Sequence, residues 1–370
     1  MQGDELTNSA ERPGDFRFDA RRLVRAIRAV IAAAGSADAE AEHVAAALVE
    51  SNLQGHDSHG IGMVPRYIAA VLAGGLVVNR QPRVTVDLGA LIVVDGERGY
   101  GQVIGDAAMR LAIPRAREQG SSVLALGNTH HLGRIGQFAE LAVAEGLVSI
   151  HFVNVLSRPM VAAWGGTDSR FGTNPCCIGI PLPGEPPMIL DFATSKVAQG
   201  KMRVAHNKGE PVQLGLLLDH EGQPTTDPGF AVVEPRGALL PFGDHKGYGI
   251  AIACELLGGA LTGGGTECGA PRSDSSVVNG MLTILIDPRH LGTADVFARD
   301  SGAFLAWLRQ SRTGDGVDRV RIPGEPERES RARRVAEGVP VDAATWSEIG
   351  AAAARVGVAR AALDALARES

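Results

Sequence analysis

Apolar side chains recur at a helical interval between Phe16 and Ala34, where Phe18, Leu23, Ile27, Val30 and Ile31 fall on one face. Asp19 stands where an N-cap belongs. The same spacing predicts a second helix from Ala37 to Leu53, after the Gly35-Ser36 break and with Asp38 acidifying its first turn. A third helix is expected to run to about Ala73. Asp57 or Ser58 would cap it, Pro65 fits its first turns, and Gly74-Gly75 close it.

The period then changes. Val84 to Asp87 and Leu91 to Asp95 read as a strand pair around Gly89-Ala90. A helix from Gly101 to Gln119, a strand from Ser122 to Leu126, a helix from Ile135 to Glu145 and a strand from Leu147 to Val153 follow in alternation. Pro159 to Pro175 reads as a Gly/Pro-rich loop. Strands at Ile178 to Pro181 and Met188 to Asp191 and a helical segment from Thr194 to Ala205 come next, then strand and turns from Gly209 to Gly229. Lys246 to Leu261 predicts an apolar helix and Met281 to Ile286 a β-branched strand. After Pro323-Gly324-Glu325 the pattern is helical, with breaks near Gly338-Pro340 and Gly357.

Composition narrows the class. At 370 residues, 45% hydrophobic and 21% charged, the chain can bury a sizeable core and has room for two lobes. A net charge of −6 argues against nucleic acid or an anionic membrane as partner. The basic run from Arg328 to Arg334 alternates with glutamate and reads as a solvated helix face. Cys176, Cys177, Cys254 and Cys268 form no C-x-x-C pair, which points to a reduced, cytoplasmic protein. No apolar run is long enough to span a bilayer. Met1 to Gly14 lacks the apolar core of a signal peptide and is expected to be a disordered tail.

The densest chemistry lies in Gly55-His56-Asp57-Ser58-His59-Gly60, continuing to Arg66-Tyr67. At a helix N-terminus His59 would feel the positive dipole end and stay neutral, which suits a proton shuttle; the plainer reading is a histidine that caps the helix. Glycine-rich segments do not form a Rossmann fingerprint, because Gly258-Gly259 and Gly263-Gly264-Gly265 follow a helix and Gly60-x-Gly62 lacks its third glycine. A pyrophosphate could instead rest on the helix that starts near Gly133, with Arg134 as an added cation; an ordinary strand–loop–helix connection explains the stretch equally well. His130-His131 could ligate metal, but adjacent side chains diverge and no H-x-x-x-H accompanies them, so no metal is expected. Asp191 ends an apolar strand, where it can orient a histidine or cap the segment after it. Lys246 opens the apolar helix between glycines, a place for an anionic ligand, and Asn174 reads as a turn residue.

Several motifs in order resemble the malate/L-lactate dehydrogenase family that is unrelated to the Rossmann lactate dehydrogenases. They are Asp57-Ser58-His59-Gly60, Gly127-Asn128-Thr129-His130-His131-Leu132-Gly133, Gly172-Thr173-Asn174-Pro175 and Leu190-Asp191-Phe192-Ala193-Thr194-Ser195. Gly200-Lys201, Pro224-Thr225-Thr226-Asp227-Pro228 and His245-Lys246-Gly247-Tyr248-Gly249 complete the set, so the resemblance covers nearly the whole chain from Phe16. Gly55 to Met63 and His130 to Gly136 are most similar to the bacterial hydroxycarboxylate dehydrogenase B type.

The resemblance implies an α/β (α+β), non-Rossmann NAD(P)-binding fold: a central mixed, largely antiparallel sheet flanked by helices, and a smaller helical part from both chain ends. It divides the chain into a tail (1–14), an N-terminal helical part (15–80), a central cofactor- and substrate-binding domain (81–322) and C-terminal helices (323–370) that pack with the N-terminal part. It also implies a homodimer, and hydride transfer between NAD or NADP and a 2-oxo/2-hydroxy acid, or a cyclic 2-imino carboxylate. By the same resemblance Ser58, His59 and Asp191 match proton-relay positions and His131 a general acid/base. His131, Leu132, Gly133, Arg134, Ile135, Asp191, Ala193, Thr194, Lys246, Gly324 and Glu325 become the expected cofactor contacts. Many members carry an arginine four residues after the matched histidine, where Met63 stands here. Arg66, Arg134 and Arg170, with Tyr67, are therefore the expected substrate contacts, since a guanidinium binds both carboxylate oxygens and a thioether cannot. A metal-dependent hydrolase built on the histidines, or a non-catalytic binding protein, are the readings from other classes; chelator sensitivity or binding without turnover would mark them.

Overall fold

The computed structural model describes residues 16–268 and 276–368. The expected tail, residues 1–14, lies outside them. The chain divides into two compact units, one built from its described residues up to Asn79 and from Pro326 on, the other from Arg80 to Glu325.

In the first unit, β1 (Phe16–Phe18) precedes α1 (Ala20–Ala33), so Phe18 is a strand residue and not the start of a helix. The Asp19 carboxylate accepts from the Arg21 and Arg22 N–H groups and starts the helix after it. Next come α2 (Asp38–Leu53) and α3 (Val64–Leu72).

The second unit opens with the hairpin β2 (Arg83–Asp87) and β3 (Leu91–Asp95), then α4 (Gly101–Gln119), β4 (Ser121–His130), α5 (Gly136–Ala144) and β5 (Val148–Leu156). The expected 159–175 loop holds two short strands, β6 (Val161–Ala162) and β7 (Ser169–Phe171). Beyond them lie β8 (Cys176–Ile180), β9 (Met188–Phe192) and α6 (Gln199–Lys208). Thr194 and Ser195 are thus not helical. Strands β10 (Leu217–Leu218), β11 (Pro224–Thr225) and β12 (Ala238–Leu239), with α7 (Gly229–Val232) among them, complete a small sheet in the order β11-β10-β12-β6-β7. The apolar helix α8 (His245–Cys254) passes into one π-helical turn, Glu255–Ala260, before β13 (Val278–Ile286) and α9 (Ala294–Arg309). The sequence pattern did not mark α9. The first unit resumes with α10 (Glu325–Glu337), β14 (Val339–Val341), α11 (Ala343–Arg355) and α12 (Arg360–Arg368). β14 falls on the expected break at Gly338-Pro340 and pairs antiparallel with β1.

The main sheet has the order β2-β3-β4-β13-β5-β8-β9. Only β3 and β4 run parallel, so it is mixed and largely antiparallel, as the resemblance implies. β13 lies between β4 and β5 and bulges between Asn279 and Met281, re-aiming the strand end there. Ile104, Met109, Phe138, Val153, Leu124 and Leu285 are among the buried residues of the core beside this sheet. The π-helical turn packs closely on β5, since a Cβ on Gly258 would come 2.7 Å from the Asn154 nitrogen.

This core contains a histidine. His151 on β5 is wholly buried opposite Thr283, whose Oγ1 lies 2.8 Å from its Nδ1. Burial pushes the imidazole from its ordinary 6.5 down to about 3. The folded chain therefore keeps it neutral, while the unfolded chain takes up a proton below about pH 6.5. Stability is complete above that pH and is lost as pH falls toward 3, by up to about 1.4 kcal/mol per pH unit. His151→Gln should flatten this acid limb in urea titrations between those two values; an unchanged slope would refute the assignment.

Candidate functional site

Asp57–His59 forms a 3-10 turn, Gly60 is extended with φ −89° and ψ −153°, and Ile61–Met63 forms another 3-10 turn before α3. The expected cap at Asp57 or Ser58 is therefore absent: α3 starts only at Val64 and has no side-chain cap. His59 lies outside its first turn, and the dipole argument loses its basis. Both side chains are engaged elsewhere. Ser58 Oγ lies 2.9 Å from His59 Nδ1, and both residues are half-buried. Asp57 accepts from the Asn52 amide at 2.6 Å and from both terminal nitrogens of Arg334, at 2.7 and 3.0 Å. Arg334 thus corrects the reading of Arg328 to Arg334 as a solvated face, its side chain being only 11% exposed. On α3 the helical period points Arg66 outward and Tyr67 inward, and Tyr67 is wholly buried in the first unit's core. A substrate contact from Tyr67 does not fit that position.

In the second unit β4 continues past Leu126 to His130, because Asp95 pairs with Gly127 and Val278 with His130. His130 is wholly buried and its Nε2 accepts from the Val277 N–H at 3.4 Å, whereas His131 begins the loop half-buried. Gly101 backs this point, since a Cβ there would strike the carbonyl oxygens of both histidines. The loop is held from below. The Leu132 N–H donates to Asn279 Oδ1 at 2.8 Å, and the Asn279 amide donates to the Asn154 carbonyl at 2.8 Å. Gln137 donates to the Leu132 carbonyl at 3.0 Å, and Gly133 turns the chain at φ +79°.

The N-terminus of α5 is already satisfied. The Gly136 N–H donates to the Asp191 carboxylate at 2.7 Å, the Gln137 N–H to the Arg134 carbonyl and the Phe138 N–H to the Ile135 carbonyl. Arg134 is 4% exposed and paired with Glu140 at 2.6 Å. These observations correct the expectation of a pyrophosphate seat there, and they turn Arg134 away from a substrate carboxylate. Asp191 caps a helix earlier in the chain, not the segment after itself. Its charge, after burial, also raises the Cys177 thiol.

Other expected contacts divide in the same way. Thr194 is buried and its hydroxyl donates to the Thr173 and Asn174 carbonyls at 2.9 and 3.1 Å, while Ala193 is half-buried. Glu325 is bound to Arg309 and Arg319 at 3.2 and 3.0 Å beside buried Gly324. Arg170 is exposed on the small sheet and pairs with Asp168. Lys246 is exposed in the first turn of α8, close in sequence to the Lys196–Asp244 pair at 3.4 Å. An ammonium placed there fits a phosphate-bearing cofactor by charge, as the satisfied start of α5 does not.

Asn174 is more than a turn residue. Buried at φ +28°, it accepts from the Val155 N–H at 3.0 Å and donates to Glu255 at 2.7 Å. Asn52, Arg334, Asn154 and Asn279 also escaped the sequence reading. The available signal was an asparagine inside an apolar run, as in Val153-Asn154-Val155.

A family model described as malate/L-lactate dehydrogenase matches residues 18–350. Hydroxycarboxylate dehydrogenase B of Escherichia coli (strain K12) is 44% identical over 95% of this chain and 98% of its own length. Malate dehydrogenase from Pyrococcus horikoshii OT3 superposes with a TM-score of 0.83 at 29% identity, covering 95% and 98% of the two chains. Delta1-piperideine-2-carboxylate reductase from Pseudomonas syringae does so with 0.79 at 29%, covering 91% and 99%.

Replacing Asn279 with Leu would leave the Leu132 N–H and the Asn154 carbonyl without this partner inside the core. Urea unfolding should show a loss of about 2 kcal/mol at an unchanged denaturant slope. A variant as stable as the parent would show that Asn279 does not hold the loop.

Proposed function

The chain belongs to the malate/L-lactate dehydrogenase family, and from that premise we propose that it is an NAD(P)-dependent dehydrogenase interconverting a 2-hydroxy acid and a 2-oxo acid. The observation that carries this reading is the Ser58–His59 pair, with Oγ and Nδ1 2.9 Å apart. Serine holds the imidazole by one ring nitrogen, and a ring so placed suits proton exchange with the substrate's C2 oxygen. The nicotinamide supplies or accepts the hydride when bound. His131, half-buried on the loop set by Asn279 and Asp191, is the rival proton donor. Arg66, exposed one turn after Met63, is the arginine assigned to the substrate carboxylate, and Lys246 the cation assigned to the coenzyme phosphates.

The likeness to the piperideine-carboxylate reductase supports a second substrate class, cyclic 2-imino carboxylates, which need the same hydride and proton geometry. Exposed Ile252, Leu256 and Leu261 along α8 and its π-helical end support the homodimer. The four unbridged cysteines support a reducing, cytoplasmic setting.

A panel of 2-oxo acids and cyclic imines, each with NADH and NADPH, should reveal turnover of one class. With the accepted substrate, His59→Ala or His131→Ala should lower kcat by roughly 100-fold or more without changing the unfolding midpoint. If both variants keep the parent's kcat, the histidine acid/base reading is wrong. Lys246→Ala should raise KM for the coenzyme about tenfold and spare kcat, as loss of a binding charge does; an unchanged coenzyme KM would remove Lys246 from that role.

A further inference from the structure

We propose that Asn52 and Arg334 are positioning residues for the Ser58–His59 pair, so that helix α10 sets where His59 stands. The proposal rests on the reading of His59 as proton donor.

The turn that carries this pair is not an extension of α3, and its fixed points are side chains. Asn52, at the end of α2, spans it with one amide. Its nitrogen donates to Asp57 at 2.6 Å, before the pair, and its oxygen accepts from the Ile61 N–H at 2.8 Å, after it. Gly60 lies directly against that amide, and a Cβ there would strike Asn52 Oδ1. Asn52 is 3% exposed, and its bond to Ile61 is buried while that to the half-exposed Asp57 is partly so.

Arg334 fixes the other side. Its guanidinium takes both Asp57 oxygens in a fork, at 2.7 and 3.0 Å, and donates as well to the Asn52 main-chain carbonyl. One cation therefore ties the acidic start of the turn to the residue that spans it. The rest of α10 follows the same line: Ser330 donates to the Leu53 carbonyl at 3.0 Å, Arg331 pairs with Glu50 at 2.7 Å, and Glu327 lies 3.5 Å from His56. The Arg331–Glu50 pair is half exposed on the arginine side, and such pairs contribute little. Arg334 is the enclosed one. A displacement of about 1 Å in a reacting group can cost roughly 100-fold in rate, so a loosened turn should be read in kcat before substrate binding.

The test uses the full-length chain with the 2-oxo acid or imine that the panel identifies. Arg334→Ala should lower kcat about 30- to 100-fold with little change in either KM. Millimolar guanidinium chloride should restore part of it, where sodium chloride at equal ionic strength does not. Arg334→Lys, a point charge without the fork, should fall between parent and Arg334→Ala. A purely structural role would lower the unfolding midpoint and leave the kcat of the folded enzyme unchanged, with no response to guanidinium; that result overturns the proposal. Should Arg334→Ala fail to fold, Asp57→Asn and Arg334→Lys decide the matter: lowered kcat at unchanged KM supports positioning, and parental kcat in both refutes it. His59→Ala is run beside them. If it keeps turnover, the reading of His59 fails; if it is inactive while the Arg334 and Asp57 variants behave as the parent, the positioning proposal alone fails.

Discussion

Buried backbone amides that no helix or ladder serves must find a partner elsewhere, and in this chain asparagine side chains supply it. Asn279 takes the Leu132 N–H just after His131, and Asn52 takes the Ile61 N–H just after His59. Asn174 does the same for Val155 on β5, and Asn154 for Gly280 at the bulge of β13. An amide side chain offers donors and an acceptor on one rigid plane, so it can end a regular element and still leave no backbone group unpaired. Chemically useful residues can then stand on irregular segments without the penalty of buried, unsatisfied peptide groups.

This arrangement explains why the glycines fall where they do. Gly60 must pass the Asn52 amide, Gly101 the carbonyls of the two histidines, and Gly280 the Gly258 carbonyl and the Asn154 side chain. In each case a methyl group would push apart contacts that the hydrogen bonding needs. Close packing of backbone against backbone and amide therefore accounts for these glycines, and positive φ in turns for others among the 47 in the chain. It is not the signature of a dinucleotide-binding glycine loop.

Charge is placed by the same economy. The start of α5 is occupied by Asp191, and the Arg134 charge is matched by Glu140 inside the unit. Both ions therefore serve the loop that carries His131, through capping and pairing, before they can serve any ligand. Arg66 and Lys246, by contrast, are exposed, on the first turns of α3 and α8. That division between enclosed and exposed charge follows from burial, and sequence alone does not display it.

The helix periods of α1, α2 and α4, the hairpin of β2 and β3 and the Asp19 cap are local properties, and spacing in the sequence determined them. The ordered motifs around Asp57, His131, Asn174, Asp191 and Lys246 likewise carried the family, and with it the mixed sheet. Tertiary structure decided the rest. β4 extends to His130 because β13, from far along the chain, pairs with it. β14 exists because β1 is there to pair with it, although Gly338-Pro340 reads as a break. Asp57 is held away from the α3 start by Asn52 and Arg334 and Ser58 lies against the His59 ring, and Tyr67 is turned into the core by the phase of a helix that starts at Val64. Periodicity records which face of an element is apolar. It does not record which distant donor will meet a given carboxylate, because that depends on chain separations that only the folded packing closes.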